Sequence, residues 1–418
     1  MAQLSDDCFA FGGELMSAAE ALRIIEARAV ALPEAETVPL GRARGRILAA
    51  PVIAARSVPP HDNAAVDGYA VYFDDLVAGT ETALPVEGRA TAGHPIAQPA
   101  RRGAAIRIFT GAPMPEGPDT VFMQEDCVED HGKVRLPSGL KRGANRRRAG
   151  EDVMAGATVL TAGLRLRPQE IGLAASLGRA DLSVYRRLRV ALLSTGDEVR
   201  EPGAPLPAGA IYDANRYVLR ALLEGLGVEV SDLGILPDRR DPIQLALARA
   251  AETHDLIVTS GGMSTGEEDH MRAAVEAQGR LHFWRLAIKP GRPVAMGQVG
   301  RVPFLGLPGN PVAVMVTFLV LARPLILRLA GATDIAPRTF RAVSGFGYRK
   351  KPGRCEYLRA RLEPGADGGW VAKKFPRDGA GILSSMVDSD GLVVLDEAAT
   401  DIAPGASVPF LPFREVID

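Results

Sequence analysis

Carboxylates, hydroxyls and glycines follow two short apolar runs of this sequence, at the points where those runs end. The first run continues into Gly196, Asp197 and Glu198, and the second, which begins at Leu256, continues through a glycine-rich stretch to Asp269. Ligands of a parallel α/β sheet bind outside the carboxyl ends of its strands, so both segments are predicted to line one crevice. Glycine lets the backbone approach a ligand and free N–H groups there favour anions, whereas carboxylates favour a hard cation such as Mg²⁺. The combination indicates a phosphorylated ligand handled together with a metal ion, and the candidate carboxylates are Asp197, Glu198, Glu267, Glu268 and Asp269.

Two cations, Lys289 and Arg292, lie in the segment IKPGRP at the end of another predicted strand. A stiff backbone beside cations lowers the entropy that is lost when an anion binds, so this segment predicts an anion site. Arg285 has the strand parity to share a face with Lys289. The segment 307–312 (LPGNPV) opens an apolar helix whose positive N-terminus could hold another anion, although a helix cap with Asn310 as N-cap explains it by itself.

Three segments nearer the start of the chain carry weaker signals. Asp67 lies in NAAVDGYA and Thr110 in RIFTGAP, where a turn next to a strand is the simpler interpretation of each, although Thr110 could hold an oxyanion. The cations 146–148 (RRR) precede Glu151 and Asp152. Clustered arginines suit phosphate or oxyanion binding, and a solvated charged loop explains them equally well.

Several other classes of site are disfavoured. The sequence has no HExxH or CxxC for zinc, no GxGxxG opening the α/β region and no GxxxxGK[ST]. Residues 262–266 (GMSTG) match the GxSxG of a serine hydrolase. That reading also needs an acid and then a histidine at later strand ends, and His270 is too close to Ser264 while His282 lies within a predicted strand. The three carboxylates that follow suit a cation site better.

Composition narrows the class of protein. A chain of 418 residues predicts two to four domains, and Lys+Arg 49 against Asp+Glu 50 gives no support for nucleic-acid binding. Cys8, Cys127 and Cys355 lack metal or disulfide spacing, and the acidic N-terminus does not resemble a signal peptide. The most apolar segment, 312–322, ends at an Arg-Pro pair and is too short to span a bilayer, which predicts a buried helix. A cytoplasmic protein without a membrane span is therefore expected.

The periodicity of the chain predicts the elements that position these residues. A capping box at Ser17 and Glu20 starts a helix to about Val30, and residues 56–150 predict a small β-rich domain. One helix is expected near 168–177, and residues 338–418 alternate with period two, which favours a β-rich C-terminal domain. Between them, strands alternating with helices predict a parallel sheet: strands 188–194, 228–236, 255–259, 281–288 and 302–307, and helices 215–226, 242–252, 269–278 and 312–329.

Taken together, these segments resemble the molybdopterin molybdenumtransferase family, which comprises MoeA-type proteins and the E domain of gephyrin. The resemblance rests on an ordered set of motifs from about residue 60 to residue 312: DNAAVDGYAV, RIFTGAPMPEG with MQED, NRRRAGED, LLSTGDE, IYDANR, VTSGGMSTGEEDH, LAIKPGRP and GLPGNPV. GRILAAPV and KPGRCEYLRAR extend it to nearly the whole chain.

The resemblance implies a multidomain fold of α/β and β-rich domains. A discontinuous, elongated N-terminal domain would take residues 14–55 and 152–186, and an inserted β-rich domain residues 56–151. Residues 187–330 would form a molybdopterin-binding α/β domain with a mostly parallel sheet, and 338–418 a C-terminal β domain. Members of the family are elongated homodimers, with each active site between the α/β domain of one subunit and other domains of its partner.

The implied reaction inserts molybdate into adenylylated molybdopterin, releases AMP and uses Mg²⁺. Transient contacts with the molybdopterin adenylyltransferase and with cofactor-accepting apoenzymes are implied too. Asp67, Glu198, Asp238 and Asp269 would be catalytic, and Asp67, Glu198 and Asp269 would also bind the metal. The implied substrate-binding residues are Thr110, Arg147, Asp152, Ser194, Thr195, Gly196, Asp197, Ser260, Gly261, Gly262, Ser264, Arg285, Lys289, Arg292, Pro308, Gly309, Asn310 and Arg359.

Three positions depart from the family pattern, and two other functions stay open. Ala64 replaces a serine, Arg285 replaces a frequent lysine, and Ala380 stands where some members have serine; these bear on substrate positioning and on the choice between molybdate and tungstate.

The TGDE and SGGxSxG segments are shared with molybdopterin adenylyltransferases, but such enzymes need only the α/β domain. A non-catalytic scaffold of the same fold would be expected to carry an added linker or tail.

Overall fold

The computed structural model describes residues 15–261, 270–366 and 368–417, apart from the side chains of residues 283 and 293. The chain forms two compact units. The first contains Met1–Ala50, Ala162–Arg167 and Leu182–Asp418, and the second contains Pro51–Thr161 and Pro168–Asp181. The four-domain division given above is finer than this one and stays a prediction.

A six-stranded mixed sheet forms the centre of the first unit. On one side of the sheet Pro293–Val299 pairs antiparallel with both of its neighbours, Gly279–Arg285 and Val302–Leu307. The strands that end at the predicted site pair in parallel and are buried on both faces, as their continuous apolar sequences require. In spatial order the strands are β2, β1, β3, β6, β5 and β4. Their bounds are Arg189–Thr195 (β1), Glu229–Leu236 (β2), Leu256–Ser260 (β3), Gly279–Arg285 (β4), Pro293–Val299 (β5) and Val302–Leu307 (β6).

Helices cover both faces of this sheet, as the alternation of strands and helices predicts. Leu219 and Leu223 of the first helix join the apolar cluster on one face, and Ile243 and Leu247 of the second join the cluster on the other. The helices are Ala214–Gly225 (α1), Arg240–Thr253 (α2), His270–Glu276 (α3) and Pro311–Leu329 (α4). All four lie within a few residues of the predicted bounds.

Helix α4 is longer than the apolar segment 312–322 from which the absence of a membrane span was predicted. The helix does not end at Arg323-Pro324, because a π-helical segment, Phe318–Ala322, connects Pro311–Thr317 to Arg323–Leu329. A π turn leaves room for a proline, whose missing N–H breaks the regular ladder. The whole helix of 19 residues is long and apolar enough to cross a membrane by length and composition, but 78% of its apolar window is buried inside the protein. The prediction of a buried core helix is confirmed.

Strand β4 and the residues after it also differ from the prediction. The single strand expected at 281–288 is two strands, because β4 ends at Arg285 and Ile288–Lys289 pairs with a different sheet. Strand β5 was not predicted at all. The parity argument that placed Arg285 and Lys289 on one face of one strand is therefore wrong.

The C-terminal part of the first unit is a closed five-stranded β-barrel. Its strands are Cys355–Pro364, Trp370–Lys374, Phe340–Ser344, Ser407–Pro412 and Gly391–Leu395 in spatial order, and the last pairs again with the first. Leu358, Val393 and Phe410 fill its interior. Ile288–Lys289 of the α/β region adds to Cys355–Pro364 as a parallel strand. Further elements near the start of this unit are helix Ala18–Arg28, strand Ala35–Pro39, which pairs with Asp181–Tyr185, and the short helix Leu40–Arg42. The short strands Val199–Arg200 and Ile211–Tyr212 pair with each other, and Tyr348–Arg349, Ser384–Val387, Asp401–Ile402 and Phe413–Val416 lie near the end.

The second unit is rich in β-structure, as predicted. Its six-stranded sheet has the order Thr120–Met123, Gly68–Val71, Ala105–Ile108, Thr82–Ala90, Lys133–Leu136 and Val128–Asp130. Two-residue and three-residue strands pair outside it, Asn63–Ala64 with Arg146–Arg147 and Val52–Ile53 with Thr158–Leu160. Its helix is Pro168–Ser176.

Candidate functional site

The carboxyl ends of β1, β3 and β6 lie side by side at one edge of the α/β sheet. Ser194 is in register with Ser260, and Ser260 with Leu307. The backbone N–H of Gly261 donates to the carbonyl of Leu307 at 3.3 Å. A Cβ at Gly261 would lie 3.2 Å from the carbonyl oxygen of Thr195, so glycine at this position allows the ends of β1 and β3 to approach each other closely. The structure thus brings together the predicted residues of three separate sequence segments.

Asn215 connects these strand ends, although its sequence context alone did not predict it as a site residue. Its Nδ2 donates to Ser260 Oγ at 2.9 Å and to the Gly309 carbonyl at 2.6 Å, while Ser260 Oγ donates to the Pro308 carbonyl at 3.2 Å. The signal was available, because Asn215 lies in the first turn of α1, just after the N-cap Asp213. A polar side chain in that turn lies at the carboxyl edge of the sheet, where ligands of an α/β sheet bind.

Two carboxylates follow β1 directly. Asp197 and Glu198 are exposed, and neither side chain has a hydrogen bond or ion pair within the described part of the chain. Gly196 has φ +142, and a Cβ there would lie 2.8 Å from Glu198 Oε2. The Glu198 carboxylate therefore folds back over a glycine that has no room for a side chain, and its oxygens are open to a ligand.

Hydroxyl groups without partners lie behind these carboxylates. Ser194 Oγ, Thr195 Oγ1 and Thr259 Oγ1 are buried and have no hydrogen-bond partner among the residues described. A buried hydroxyl without a partner costs free energy, which is typical of a site that completes its hydrogen bonds with a ligand or water. The predicted residues Gly262, Ser264 and Asp269, and with them Glu267 and Glu268, lie outside the described residues.

A buried arginine fixes the loop that follows Glu198. Arg216 is 3% exposed and forms ion pairs with Asp213, Asp232 and Glu201; its Nε lies 3.0 Å from Asp213 Oδ2. Burial lowers the pKa of Arg216, but the hydrogen bonds that its guanidinium donates to Asp232 and Asp213 outweigh that effect and raise the pKa. This network joins β2, the start of α1 and the loop, and it is a structural support for the two carboxylates after β1.

Asp238 lies at the same edge of the sheet. It follows β2, whose Leu236 is in register with Thr195 of β1. The sheet therefore places this predicted catalytic carboxylate just after the strand that neighbours β1, the strand that precedes Glu198.

The cationic segment after β4 is anchored to the C-terminal barrel. Lys289 is half-exposed, and its Nζ lies 3.2 Å from Glu356 Oε2. Glu356 Oε2 also accepts a hydrogen bond of 2.7 Å from Tyr348 Oη. Burial and this hydrogen bond to Glu356 raise the pKa of Tyr348 well above its ordinary value. Arg285 is exposed, and Arg292 has a buried Nε without a partner in the described residues.

The segment that opens α4 has the residue positions that the simpler interpretation predicted, but the Asn310 side chain makes no capping hydrogen bond. Asn310 is the N-cap and Pro311 occupies the first turn, while the N–H of Val312 donates to the carbonyl of Ala380 at 2.9 Å. The barrel thus supplies an acceptor to this helix N-terminus. Anion binding at this helix N-terminus stays a prediction.

Arg359 supports the loop that contains Ala380. The guanidinium of this buried residue donates to Ser385 Oγ at 3.0 Å, to the Gly379 carbonyl at 3.2 Å and to the Arg377 carbonyl at 3.3 Å. Burial lowers its pKa. These contacts hold the 377–385 segment against the barrel.

In the second unit, Asp67 and Thr110 form a hydrogen-bonded pair. Asp67 Oδ1 accepts from Thr110 Oγ1 at 2.7 Å and from the Thr110 N–H at 2.8 Å. The hydroxyl first, and then the N–H, hold the pKa of Asp67 below its ordinary value. Arg107 contributes in the same direction, and its guanidinium lies 4.9 Å from the ring centroids of both Tyr69 and Phe109. A firmly held, ionised carboxylate results.

Arg147 and Asp152 line one open cleft of the second unit, with a volume of about 470 Å³. Asn63, Glu151, Val58 and Pro59 complete its walls. Asn63 is buried, and its Oδ1 has no hydrogen-bond partner in the described segments. The structure therefore groups two of the predicted substrate-binding residues.

The predicted metal ligands come from different parts of the chain. Asp67 belongs to the second unit, Glu198 to the first, and Asp269 lies outside the described residues. No group of three or more acidic, histidine or cysteine side chains placed to hold a metal occurs within the described ranges. The donor chemistry still fits Mg²⁺, which binds one or two carboxylates and keeps several waters, because Asp197 and Glu198 offer exposed oxygens without partners.

Comparison with known protein families accounts for nearly the whole chain. Residues 16–178 match the MoeA N-terminal region (domain I and II), residues 191–328 match a probable molybdopterin binding domain, and residues 341–413 match the MoeA C-terminal region (domain IV).

Individual relatives match over the same length. The molybdopterin molybdenumtransferase of Haemophilus influenzae is 39% identical over 386 residues, which cover 92% of this chain and 95% of the relative. Molybdopterin molybdenumtransferase 2 of Mycobacterium tuberculosis is 35% identical over 381 residues, with 89% and 93% covered. The crystal structure of the molybdopterin biosynthesis moeA protein from Pyrococcus horikoshii OT3 superimposes with a TM-score of 0.81 at 28% identity, covering 96% of this chain and 100% of that one. The chain belongs to the molybdopterin molybdenumtransferase family.

Proposed function

We propose that this protein inserts molybdate into adenylylated molybdopterin and releases AMP. The observation that supports this most strongly is the joined edge of β1, β3 and β6, where Asn215 fastens Ser260 to Gly309 beside the open carboxylate of Glu198. Glycines and unpartnered hydroxyls there suit the phosphate and pterin portions of a substrate. Family membership supplies the reaction.

Cations hold the anionic groups in this proposal. Lys289, Arg285 and Arg292 would bind the phosphoanhydride and the molybdate dianion, with Thr110, Arg147 and Asp152 contributing from the second unit. Arg292 has a buried Nε without a partner in the described residues, so an anion would give it the hydrogen bond that it lacks.

Carboxylates carry out the cleavage in this proposal. A carboxylate among Glu198, Asp238, Asp67 and Asp269 takes a proton from the water that attacks phosphorus, and the P–O bond to AMP breaks. Mg²⁺, held by Glu198, Asp67 and Asp269, would supply charge stabilisation for the phosphoryl oxygens. Anhydride cleavage provides free energy for placing molybdenum on the dithiolene.

We also propose a cytoplasmic homodimer that meets the molybdopterin adenylyltransferase and cofactor-accepting apoenzymes transiently. Light scattering of the purified chain measures the oligomeric state. A mass of twice 44.3 kDa is expected, and a monomer would contradict the dimer.

The experiment that tests the function is AMP release from adenylylated molybdopterin, with and without molybdate and Mg²⁺. Molybdate-stimulated AMP release together with active cofactor supports the transferase. Formation of adenylylated molybdopterin from ATP would indicate an adenylyltransferase instead, and binding without cleavage would indicate a scaffold. Asp269→Asn should keep substrate binding and lose AMP release, and undiminished release would remove Asp269 from the mechanism.

A further inference from the structure

The C-terminal barrel reaches the cationic segment through one ion pair. Strand Ile288–Lys289 lies parallel to the first barrel strand, with Lys289 directly opposite Glu356. The N–H of Cys355 donates to the carbonyl of Ala287 at 2.7 Å, so the backbone is fixed just before this pair. The register of two strands therefore brings the Lys289 ammonium to within 3.2 Å of the Glu356 carboxylate.

Glu356 is buried while Lys289 is not. The side chain of Glu356 is 7% exposed and that of Lys289 is 55% exposed. A buried carboxylate is costly unless it is paired, and Glu356 Oε2 accepts from both Lys289 and Tyr348 Oη. The Tyr348 ring is itself covered by Lys374, whose Nζ lies 5.7 Å from the ring centroid. The anchor of the pair is therefore rigid, and the ammonium is its solvent-facing end.

We propose that Glu356 and Tyr348 are positioning residues that hold the Lys289 ammonium in place for an anionic substrate. This inference rests on the proposed function, in which Lys289 binds substrate. A free lysine loses rotamer entropy when it binds an anion, and a lysine that is already held loses less. The ammonium has three donors, so one bond to Glu356 leaves two for the anion. Glu356 of the barrel then acts on the substrate only by holding Lys289, and does not contact the substrate itself.

The charge of Glu356 has an opposite effect, because a carboxylate near the site repels an anion. Two substitutions of Glu356 distinguish the effect of its side-chain length from the effect of its negative charge. Glu356→Asp keeps the negative charge but withdraws it by one methylene, which breaks the contact with Lys289. Glu356→Gln keeps an acceptor at the same reach but removes the charge. Positioning predicts that the aspartate variant is impaired, whereas a purely electrostatic role predicts that only the glutamine variant changes.

The experiment measures kcat and KM of AMP release for adenylylated molybdopterin and for molybdate in the full-length protein. Lys289→Ala is expected to raise at least one KM by roughly tenfold or more, because a charged contact is lost. Glu356→Asp should raise that same KM about threefold to tenfold and leave kcat within about twofold, since only binding is affected. Tyr348→Phe should act in the same direction and less strongly. Asp401→Asn, which removes an exposed carboxylate 3.9 Å from Arg349, is the control and should change neither constant.

A double-mutant comparison tests whether Glu356 acts on the KM through Lys289. Glu356→Asp should have no further effect on KM when Lys289 is already alanine. An equal effect in both backgrounds, or an unchanged KM in Glu356→Asp and Tyr348→Phe, would overturn the positioning role. If Lys289→Ala itself leaves both KM values unchanged while AMP release persists, this inference and the substrate role of Lys289 fall, but the proposed reaction stands. If the unmutated protein shows no molybdate-stimulated AMP release, the proposed function itself is overturned.

Discussion

Asp67 and Glu198 are two carboxylates proposed for one reaction, and their surroundings differ sharply. Asp67 accepts two hydrogen bonds from Thr110, which fix its orientation and keep its pKa low. Glu198 has no partner in the described residues and folds over Gly196. Both hydrogen bonds fall on Asp67 Oδ1, so this carboxylate is held in one orientation, whereas both oxygens of Glu198 are open to a cation or a proton. We therefore expect Asp67 to act in one orientation and Glu198 to bind a cation or take a proton with either oxygen.

The largest effect on activity is expected from Glu198→Gln. The amide keeps the shape but can neither bind Mg²⁺ strongly nor accept a proton, so AMP release should fall by about 100-fold or more. Glu224→Gln makes the same chemical change in an exposed ion pair of α1 and should leave the rate unchanged. The comparison is wrong if Glu198→Gln retains more than about a tenth of the activity.

Gly196→Ala tests whether Glu198 needs the space above the glycine. The new Cβ would lie 2.8 Å from Glu198 Oε2 and 2.9 Å from Val199 Cγ2 at a backbone φ of +142. Displacement of the carboxylate should lower AMP release by roughly 30-fold. Gly203→Ala is matched in backbone strain, with φ +90, but its Cβ would meet nothing within 4 Å. Equal losses of activity in both variants would show that backbone strain, and not the position of Glu198, is responsible.

Thr110→Val removes one of the two hydrogen bonds that fix Asp67. The valine keeps the shape and the backbone N–H bond but loses the 2.7 Å bond from Oγ1. AMP release should fall about tenfold, because Asp67 is less well oriented. Thr110→Ser keeps the hydroxyl and should stay within about twofold of the original rate. A serine variant as slow as the valine variant would mean that the methyl group matters and the hydrogen bond does not.

The local pattern of the sequence was enough to find the strand-end crevice but not the contacts that organise it. Buried parallel strands have continuous apolar sequences, so β1, β3 and β6 and their polar ends were identified. Strand β5 was missed because it begins with Pro293 and contains Gly297, both weak β-formers.

The contacts that were missed are between residues distant in sequence. Lys289 and Glu356 are 67 residues apart, and only the register between a barrel strand and the α/β region joins them. Asn215 bonds to residues 45 and 94 positions away. Such pairs depend on tertiary packing, which periodicity and spacing do not encode.

A third carboxylate, Asp255, differs from both Asp67 and Glu198 because it is paired with two arginines away from the site, and its loss should not affect activity. It lies just before β3, at the far end from Ser260, where Arg186 and Arg189 both bond to it. Burial raises the pKa of Asp255, but the hydrogen bonds from Arg186 and Arg189 outweigh it and hold the pKa at about 2, against an ordinary value of 3.8. Because the folded-state pKa is lowered, Asp255 stabilises the fold above the ordinary value, and this contribution is lost as pH falls from there toward 2.

Asp255→Asn should therefore lower the free energy of unfolding by about 2 kcal/mol at pH 7, allowing for partial solvent screening. AMP release per folded molecule should be unchanged. Urea denaturation of both proteins from pH 7 downward measures the difference, which should be constant to about pH 5 and shrink below it. A difference that does not depend on pH would mean that lost packing, and not the charge of Asp255, causes the change. A loss of activity without a loss of stability would break the comparison, because it would show that a carboxylate with filled partners at the far end of the sheet also takes part in the reaction.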